Sequence, residues 1–515
     1  MTGPGRSVSA PRKGHDDVTL LGTRRDTAEN DDAGGSNGAS TPSRLDRFFQ
    51  ITARGSTTGR ELRGGLVTFF AMAYIVILNP LILGGTSAEN APVDVAGGWL
   101  ATAQVGAVTG LAAGVLTILF GMVANLPFAL AAGLGINSFL AVAVIGDVTW
   151  PEAMGLVLIN GLLIVLLAVT GARSAIFNAV PRQLKAAITV GIGLFIAFIG
   201  FVDSGFVTRT PGGPPVQLGD GGSITTVPTL VFVVGLLVMG ILVARKVKGG
   251  LLIGLVATTV LAIVAEAVLH LGPASEDNPG GWHLTVPELP SSLASVPDLS
   301  LLGQFSFGAF DRIGALAATM LVFTLFFTNF FDAMGTMTGL AKQGGLADAD
   351  GNFPRIKSAL VVEGVGAVVG GGTSSSSNTV FVDSAAGVGE GARTGLASVV
   401  TGGLFLVAMF LTPLTAVVPM EVASAVLVVV GAMMMREIKE IDFSDFSVAL
   451  PVFLTVVTMP LTYSIANGIG IGFVTWVLLR TACGKAREVH PLLWVVAAGF
   501  LVYFVRGPLT AVVGG

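Results

Sequence analysis

Beyond about residue 63 the chain is a succession of long apolar runs with little charge between them, and this limits its fold more than any other feature. A helix needs about 20 predominantly apolar residues to cross hydrocarbon, so the runs suffice for roughly a dozen spans. Charged residues make up 12% of the 515 residues, against about 25% in ordinary soluble domains. That is too little charge to cover a soluble fold of this size. Glycine is abundant, at 70 residues, and membrane helices use it for close packing. The chain reads as an all-α polytopic membrane protein.

Residues 1–60 differ in composition, being rich in Gly, Ser, Thr, Asp and Arg with almost no apolar periodicity. They read as a disordered tail and not as a signal peptide, because no apolar stretch follows the early arginines. Apolar runs then cover 64–83, 101–124, 131–146, 153–171, 184–202, 227–245 and 249–270. A polar stretch, 271–312, interrupts them, and further runs follow at 313–341, 357–370, 379–389, 394–412 and 419–435. The segment 448–481 is too long for one straight span, and Asn467 and Gly468 suggest a hairpin. A last run covers 491–505 and either crosses or does not.

Basic residues test this layout, because cytoplasmic loops carry an excess of Lys and Arg. With the tail in the cytoplasm, 15 of them fall in inside loops: Arg173, Arg182, Lys185, Arg245, Lys246, Lys248, Lys342, Arg355, Lys357, Arg393, Arg436, Lys439, Arg480, Lys485 and Arg487. Only Arg209, Arg312 and, if the last run crosses, Arg506 lie outside. The skew requires two crossings between Lys439 and Arg480, and gives fourteen spans before 491–505. The third span (AAGLGINSFLAV) and the tenth (GGGTSSSSNTVFVDSAAGV) are both short and broken by Gly and small polar residues. They occupy matching places in two seven-span halves, which an odd span number would invert. Gly-interrupted segments at matching places of inverted halves point to a transporter's binding site. By spacing alone this repeat is weakly marked, since Gly and Leu recur throughout.

Carboxylates within apolar runs are costly and are functional candidates by default. Asp332 lies in VFTLFFTNFFDAMGTMTGL, with Asn329 one turn earlier on the same helix face. Asp383 lies in the interrupted tenth span, with Ser384 beside it. Phe381, two residues earlier, has a ring that could stack on a planar ligand. Asn137, in GLGINSF, offers both a donor and an acceptor. Each has a plain alternative: pairing with a hydroxyl or helix end for the carboxylates, a cap or interhelical bond for Asn137, ordinary packing for Phe381. Glu363 and Glu421 sit near Gly- or Pro-marked boundaries and read as packing or interfacial groups. Arg393 and Glu390 read as an inside-facing ion pair.

At these residues the sequence resembles the nucleobase-cation symporter-2 family, in its azaguanine-sensitive guanine/hypoxanthine/adenine permease branch. The stretches that carry the resemblance are FFAMAYIVILNP, GLGINSFLAV, LKAAITVGIGLFIAFIGF, FFDAMGT, DSAAGVGEGARTGLASVVTG and MPLTYSIANGI, in order over most of 60–505. It implies fourteen spans as two inverted seven-span repeats. It also implies a core domain from 61–172 and 313–413, and a gate domain from 173–270 and 414–515 with the C-terminal segment. The cytoplasmic tail (1–60) and an extracytoplasmic loop (271–312) complete the chain. The family's eighth-span acidic pair falls on Asn329 and Asp332, its tenth-span carboxylate on Asp383, and its third-span Asn on Asn137. The family usually has Asp at the position of Asn329 and Glu at that of Asp383.

The leading functional expectation is therefore a secondary transporter importing guanine, hypoxanthine or adenine by proton symport, with substrate contacts from Asn137, Asn329, Asp332, Phe381, Asp383 and Ser384. Asp332 and Asp383 would couple the proton, since a buried carboxylate can accept hydrogen bonds from a neutral base and can also take up a proton. The alternatives are a transporter of xanthine or uracil, or of a small anion, on the same fold. No enzyme motif (GxxxxGK[ST], GxSxG, HExxH) is present, the four His are scattered, and the single Cys483 excludes a multi-cysteine metal site. No cofactor or metal is expected. The expected partners are a purine base, a proton (with sodium left open), the lipid bilayer and a second copy of the chain; with a net charge of −4, nucleic acid is not among them.

Overall fold

The computed structural model describes residues 43–171, 179–210, 215–275, 277–290, 292–347 and 353–505. Residues 1–42 of the expected tail, Arg173 and Arg506 lie outside the described residues. Helices follow the apolar runs. They are α1 (Thr58–Met72), α2 (Ile75–Leu83), α3 (Thr102–Val123), α4 (Leu134–Phe139), α5 (Trp150–Thr170), α6 (Arg182–Asp203), α7 (Val227–Ala244) and α8 (Gly250–Leu269). After the long loop come α9 (Ala315–Gln343), α10 (Ile356–Gly372), α11 (Ala385–Gly389), α12 (Gly395–Ala408), α13 (Met420–Met434), α14 (Phe446–Leu461), α15 (Ile465–Ala482) and α16 (Pro491–Phe504). Among the described residues, 9 helical segments are long and apolar enough to cross a membrane. The chain is thus a multi-pass membrane protein dominated by helix.

Local chemistry sets the helix ends. Thr149 and Glu152 form a reciprocal capping box at the start of α5, and Gly171 ends that helix at φ 77°. Ser464 caps α15 by accepting from Asn467 N–H at 3.3 Å. The hairpin expected within 448–481 is present, but its turn is Thr462–Ser464 rather than Asn467–Gly468. Gly468 lies inside α15, where a Cβ would meet Met459 and the Thr455 carbonyl. The last run forms α16, whose 14 residues fall short of the roughly 20 needed for an upright crossing.

Part of the expected tail (1–60) is built into the fold. A short helix at Arg44–Phe49 precedes α1, and Phe49 and Ile51 are buried against Leu396. Asn125 explains why: its Nδ2 donates to Phe49 O at 2.8 Å, and its Oδ1 accepts from Gly395 N at 2.8 Å. Three apolar residues and one buried amide suffice to fix a segment whose composition otherwise reads as unstructured. The expected Glu390–Arg393 pair is not formed either. Glu390 instead pairs with Arg63 at 2.8 Å and with Lys248. Arg393 turns its guanidinium to the carbonyls of Val388 and Ala392, both at 2.7 Å, while its N–H donates to the buried Glu61 at 2.8 Å. Proximity in sequence was overridden by cations arriving from α1 and from the start of α8.

The most extensive helix pairings join distant parts of the chain: α5 with α10, α3 with α12, and α6 with α13. Glycine makes these approaches possible. Gly161 faces Val368 and Ala367 across α5–α10, and Gly193 faces Gly431 across α6–α13. At the α3–α12 crossing Gly121 and Gly395 meet backbone to backbone, so that a Cβ at Gly395 would fall on the Gly121 carbonyl. We predict that Gly395→Ala, which adds one methyl where backbone would have to move, lowers the melting temperature of the purified protein sharply, by about 1–3 kcal/mol of stability or more. Fluorescence-detected gel filtration after heating measures it.

The segment between α8 and α9, expected as a loop, is tied down along its length. Trp282 Nε1 donates to Glu266 at 2.8 Å, Leu284 O accepts from Asn90 at 2.8 Å, and Ser295 N donates to Phe410 O at 2.9 Å. Arg312 reaches Glu152 at 2.7 Å. In the middle, half-exposed His283 places Nδ1 2.8 Å from Oε1 of wholly buried Glu421, which thereby becomes the loop's anchor on α13. The hydrogen bond to Glu421 holds the His283 imidazole above its ordinary range, aided by the charges of Glu421 and Asp203 and opposed by burial. A raised histidine contributes stability in full below its unfolded value of about 6.5, and loses it as pH climbs through the raised folded value. Melting temperature should therefore fall as pH rises across that window, and His283→Gln should remove this part of the dependence.

Candidate functional site

The third and tenth runs do not form continuous helices. Gly133 interrupts the first, and the Thr373–Ser377 stretch interrupts the second, with Ser374 and Ser376 in the left-handed region at φ 55° and 69°. Each break opens into a three-residue strand, β1 (Leu130–Ala132) and β4 (Asn378–Val380; β2 and β3, Val207–Arg209 and Val216–Leu218, form a separate surface hairpin). β1 and β4 pair antiparallel, Leu130 opposite Val380 and Ala132 opposite Asn378. The short helices α4 and α11 follow them.

Non-helical backbone at membrane depth survives only where protein satisfies its polar groups. Gly133 N donates to Ser377 O and Phe381 N to Ala129 O, both at 2.9 Å. Leu130 N donates to Thr117 Oγ1 at 2.9 Å, and the same hydroxyl donates to Leu130 O at 3.0 Å. Ser384 Oγ accepts from Ala129 N at 3.0 Å. Ser384, expected at the site, thus holds the crossing together while keeping its own proton to donate.

The structure brings the other expected residues around this crossing. Asn137, wholly buried on α4, donates Nδ2 to Asn79 Oδ1 at 2.5 Å. Asn329, also wholly buried, donates Nδ2 to Ser377 Oγ at 2.9 Å. Asn329 is residue 15 of the 29 in α9, which puts it near mid-span. Asp332 lies one turn further on; its carboxylate makes no hydrogen bond among the described residues, and buried Glu363 of α10 acts on it through charge. Glu363, expected as a packing group, is therefore a neighbour of the site. Asp383 Oδ2 accepts from the hydroxyl of Tyr74 at 3.1 Å. Phe381 is buried in the main core beside it.

Two participants were missed by the sequence reading. Tyr74 and Asn79 both lie in the run AYIVILNP, where they look like incidental polar atoms in a continuous span. A buried amide directly before Pro80 was the available signal. Acceptors predominate among these groups: Asn137 Oδ1 and Asn329 Oδ1 are buried without partners, and the Asp332 and Asp383 carboxylates are acceptors when ionised. A cavity of about 200 Å³ lined by Val67, Phe70, Lys248, Gly249, Leu252 and Ile253 includes none of them and is an apolar groove elsewhere.

Residues 59–471 match the permease family. The chain belongs to it, within the nucleobase-cation symporter-2 group. It is 36% identical over 460 residues to the guanine/hypoxanthine permease PbuG of Bacillus subtilis, covering 89% of this chain and 99% of that one. It is 33% identical over 463 residues to the adenine permease AdeP of Escherichia coli, covering 90% and 96%. Among solved structures, the fold resembles the transmembrane domain of a cyanobacterium bicarbonate transporter, BicA, with a TM-score of 0.57 and 16% identity, covering 79% of this chain and 96% of that one. Removing the Tyr74 hydroxyl isolates the support of Asp383: Tyr74→Phe should weaken apparent substrate affinity about tenfold, the value of one hydrogen bond to a charged group, with membrane insertion unchanged. The concentration dependence of uptake measures it.

Proposed function

We propose that this chain is a secondary transporter that carries purine nucleobases across the cell membrane by alternating access, coupled to protons. The observation that supports this most is the crossing itself, where Asn137 follows one break, Asp383 follows the other, and Asn329, one turn before Asp332, reaches Ser377 beside β4. A neutral purine offers ring N–H groups to such acceptors, and a carboxylate beside it can carry the proton. The permease relatives named for guanine, hypoxanthine and adenine favour the same substrate class. An anion would meet Asp332, Glu363 and Asp383 unfavourably.

Helix packing supports fourteen spans in two inverted repeats. With α1–α2 counted as the first span and α15 as the fourteenth, a shift of seven carries α3·α12 onto α10·α5, α6·α14 onto α13·α7, and α7·α8 onto α14·α15. The pairs α6·α13 and β1·β4 map onto themselves. The same pairings favour a core (61–172 with 313–413) around the crossing and a gate (173–270 with 414–515) around α6 and α13. The cluster of Arg63, Lys248 and Glu390 favours a cytoplasmic N-terminal side. A homodimer is the oligomer we propose.

In cells lacking other permeases, labelled hypoxanthine should accumulate, be displaced by guanine or adenine but not by pyrimidines or ascorbate, and be lost on adding a protonophore. Asp383→Asn should reduce accumulation by an order of magnitude or more, since an amide cannot take up the proton. Accumulation at the unaltered level by an inserted Asp383→Asn protein contradicts the assignment.

A further inference from the structure

Asn79 joins both interruptions. Its Nδ2 donates to Ser375 O, in the tenth-span break, at 3.1 Å and to Thr109 Oγ1 at 2.7 Å. Its Oδ1 accepts from Asn137, in the third-span break. All four residues, Asn79, Thr109, Asn137 and Ser375, are buried, at 0% exposure.

The direction of every bond in this chain is fixed from one end. Thr109 donates its hydroxyl proton to Val105 O, four residues back on α3, at 2.6 Å. Its oxygen can therefore only accept from Asn79. The Ser375 carbonyl, which has no proton, can likewise only accept. Both demand the NH2 end of Asn79, so the Asn79 carbonyl is turned toward Asn137. Asn137 must then answer with its own NH2, because the opposite orientation would oppose two carbonyl oxygens and orphan a donor. What remains is Asn137 Oδ1, fixed in place, buried and without a partner, together with the second N–H of the same amide.

We infer that Asn79 is a positioning residue that locks the Asn137 amide with its carbonyl oxygen as the free pole, making this corner of the site select a ligand N–H over a ligand lone pair. The inference rests on the purine-transport reading for the ligand, and on geometry alone for the lock. An unlocked amide reads a base edge ambiguously, since it offers a donor in one orientation and an acceptor in the other. A locked amide rejects the analogue in which the matching ring N–H is replaced, because a buried acceptor is then left unpaired. Thr109 and Ser375 act on specificity through Asn79.

Two measurements test this. The first is inhibition of labelled hypoxanthine uptake by hypoxanthine and by its 1-, 7- and 9-methyl derivatives. The unaltered protein should reject at least one methyl isomer by more than about tenfold. Asn79→Leu should shrink that ratio several-fold in protein that still inserts. Asn79→Leu with Asn137→Asp should restore it, since a carboxylate presents an acceptor in either orientation. A merely structural role for Asn79 would lower all uptake together and leave the ratio unmoved, which overturns the inference. The second is a melting cycle with Asn79→Leu, Asn137→Leu and the double variant, in detergent and without substrate. Non-additive losses are expected for a shared bond, and additive ones overturn the lock. If no purine competes in the unaltered protein, the transport reading fails while the melting cycle still decides the lock.

Discussion

Everything distinctive in this molecule depends on three residues of strand meeting three residues of strand in the middle of a helical membrane protein. Unpaired peptide groups cannot be left in hydrocarbon, so a helix that breaks there must find partners within the protein. β1 and β4 pair with each other, and Thr117, Ser384 and Ser377 supply further partners. The break is the reason amides and carboxylates can sit at this depth. It creates polar surroundings that tolerate them, and one buried amide, Asn79, in turn donates to the freed backbone at Ser375 O.

The scaffold holding the crossing is built on close approach rather than on bulk. α3 against α12 and α5 against α10 flank the two breaks, and each pairing has glycine at the point of nearest contact. Without a hydrophobic drive between helices in lipid, such packing and buried hydrogen bonds carry the association. Buried Glu61 shows the second element: it accepts from the backbone of Arg393 at 2.8 Å and of Thr394 at 3.2 Å, satisfying the start of α12 from α1. Around α6, α13 and α14 the same logic builds a second group of helices. The long strap from α8 to α9 then ties it, through His283 and Asn90, to the first.

The long apolar helices were legible because hydrocarbon selects composition so strongly. Asn137, Asn329, Asp332 and Asp383 stood out for the same reason, as polar residues where solvation is expensive. What composition could not reveal was pairing in space. Glu390 has a cation three residues away in sequence yet binds Arg63 and Lys248, because Arg393 is occupied by helix-end carbonyls. Asn79 and Tyr74 were easily passed over, because a single amide or phenol in AYIVILNP leaves the run apolar and only the amide before Pro80 marks it. Their meaning appears only once α2 lies across both breaks. Residues 44–60 were misread because a few anchoring contacts, at Phe49, Ile51 and Asn125, outweigh the composition of a whole segment.

The central claim is that the ligand occupies the crossing of the two breaks, and cysteine protection tests it most directly. The chain has one cysteine, Cys483, and it is exposed, so a Cys483→Ser background allows a single thiol to be placed by Ser377→Cys, beside Asn329. Alkylation of that thiol in membranes should be slowed by hypoxanthine or guanine, at concentrations that saturate uptake, and unaffected by uracil or bicarbonate. Alkylation at the same rate with and without purine, in a variant that still transports it, would place the ligand elsewhere and contradict the account.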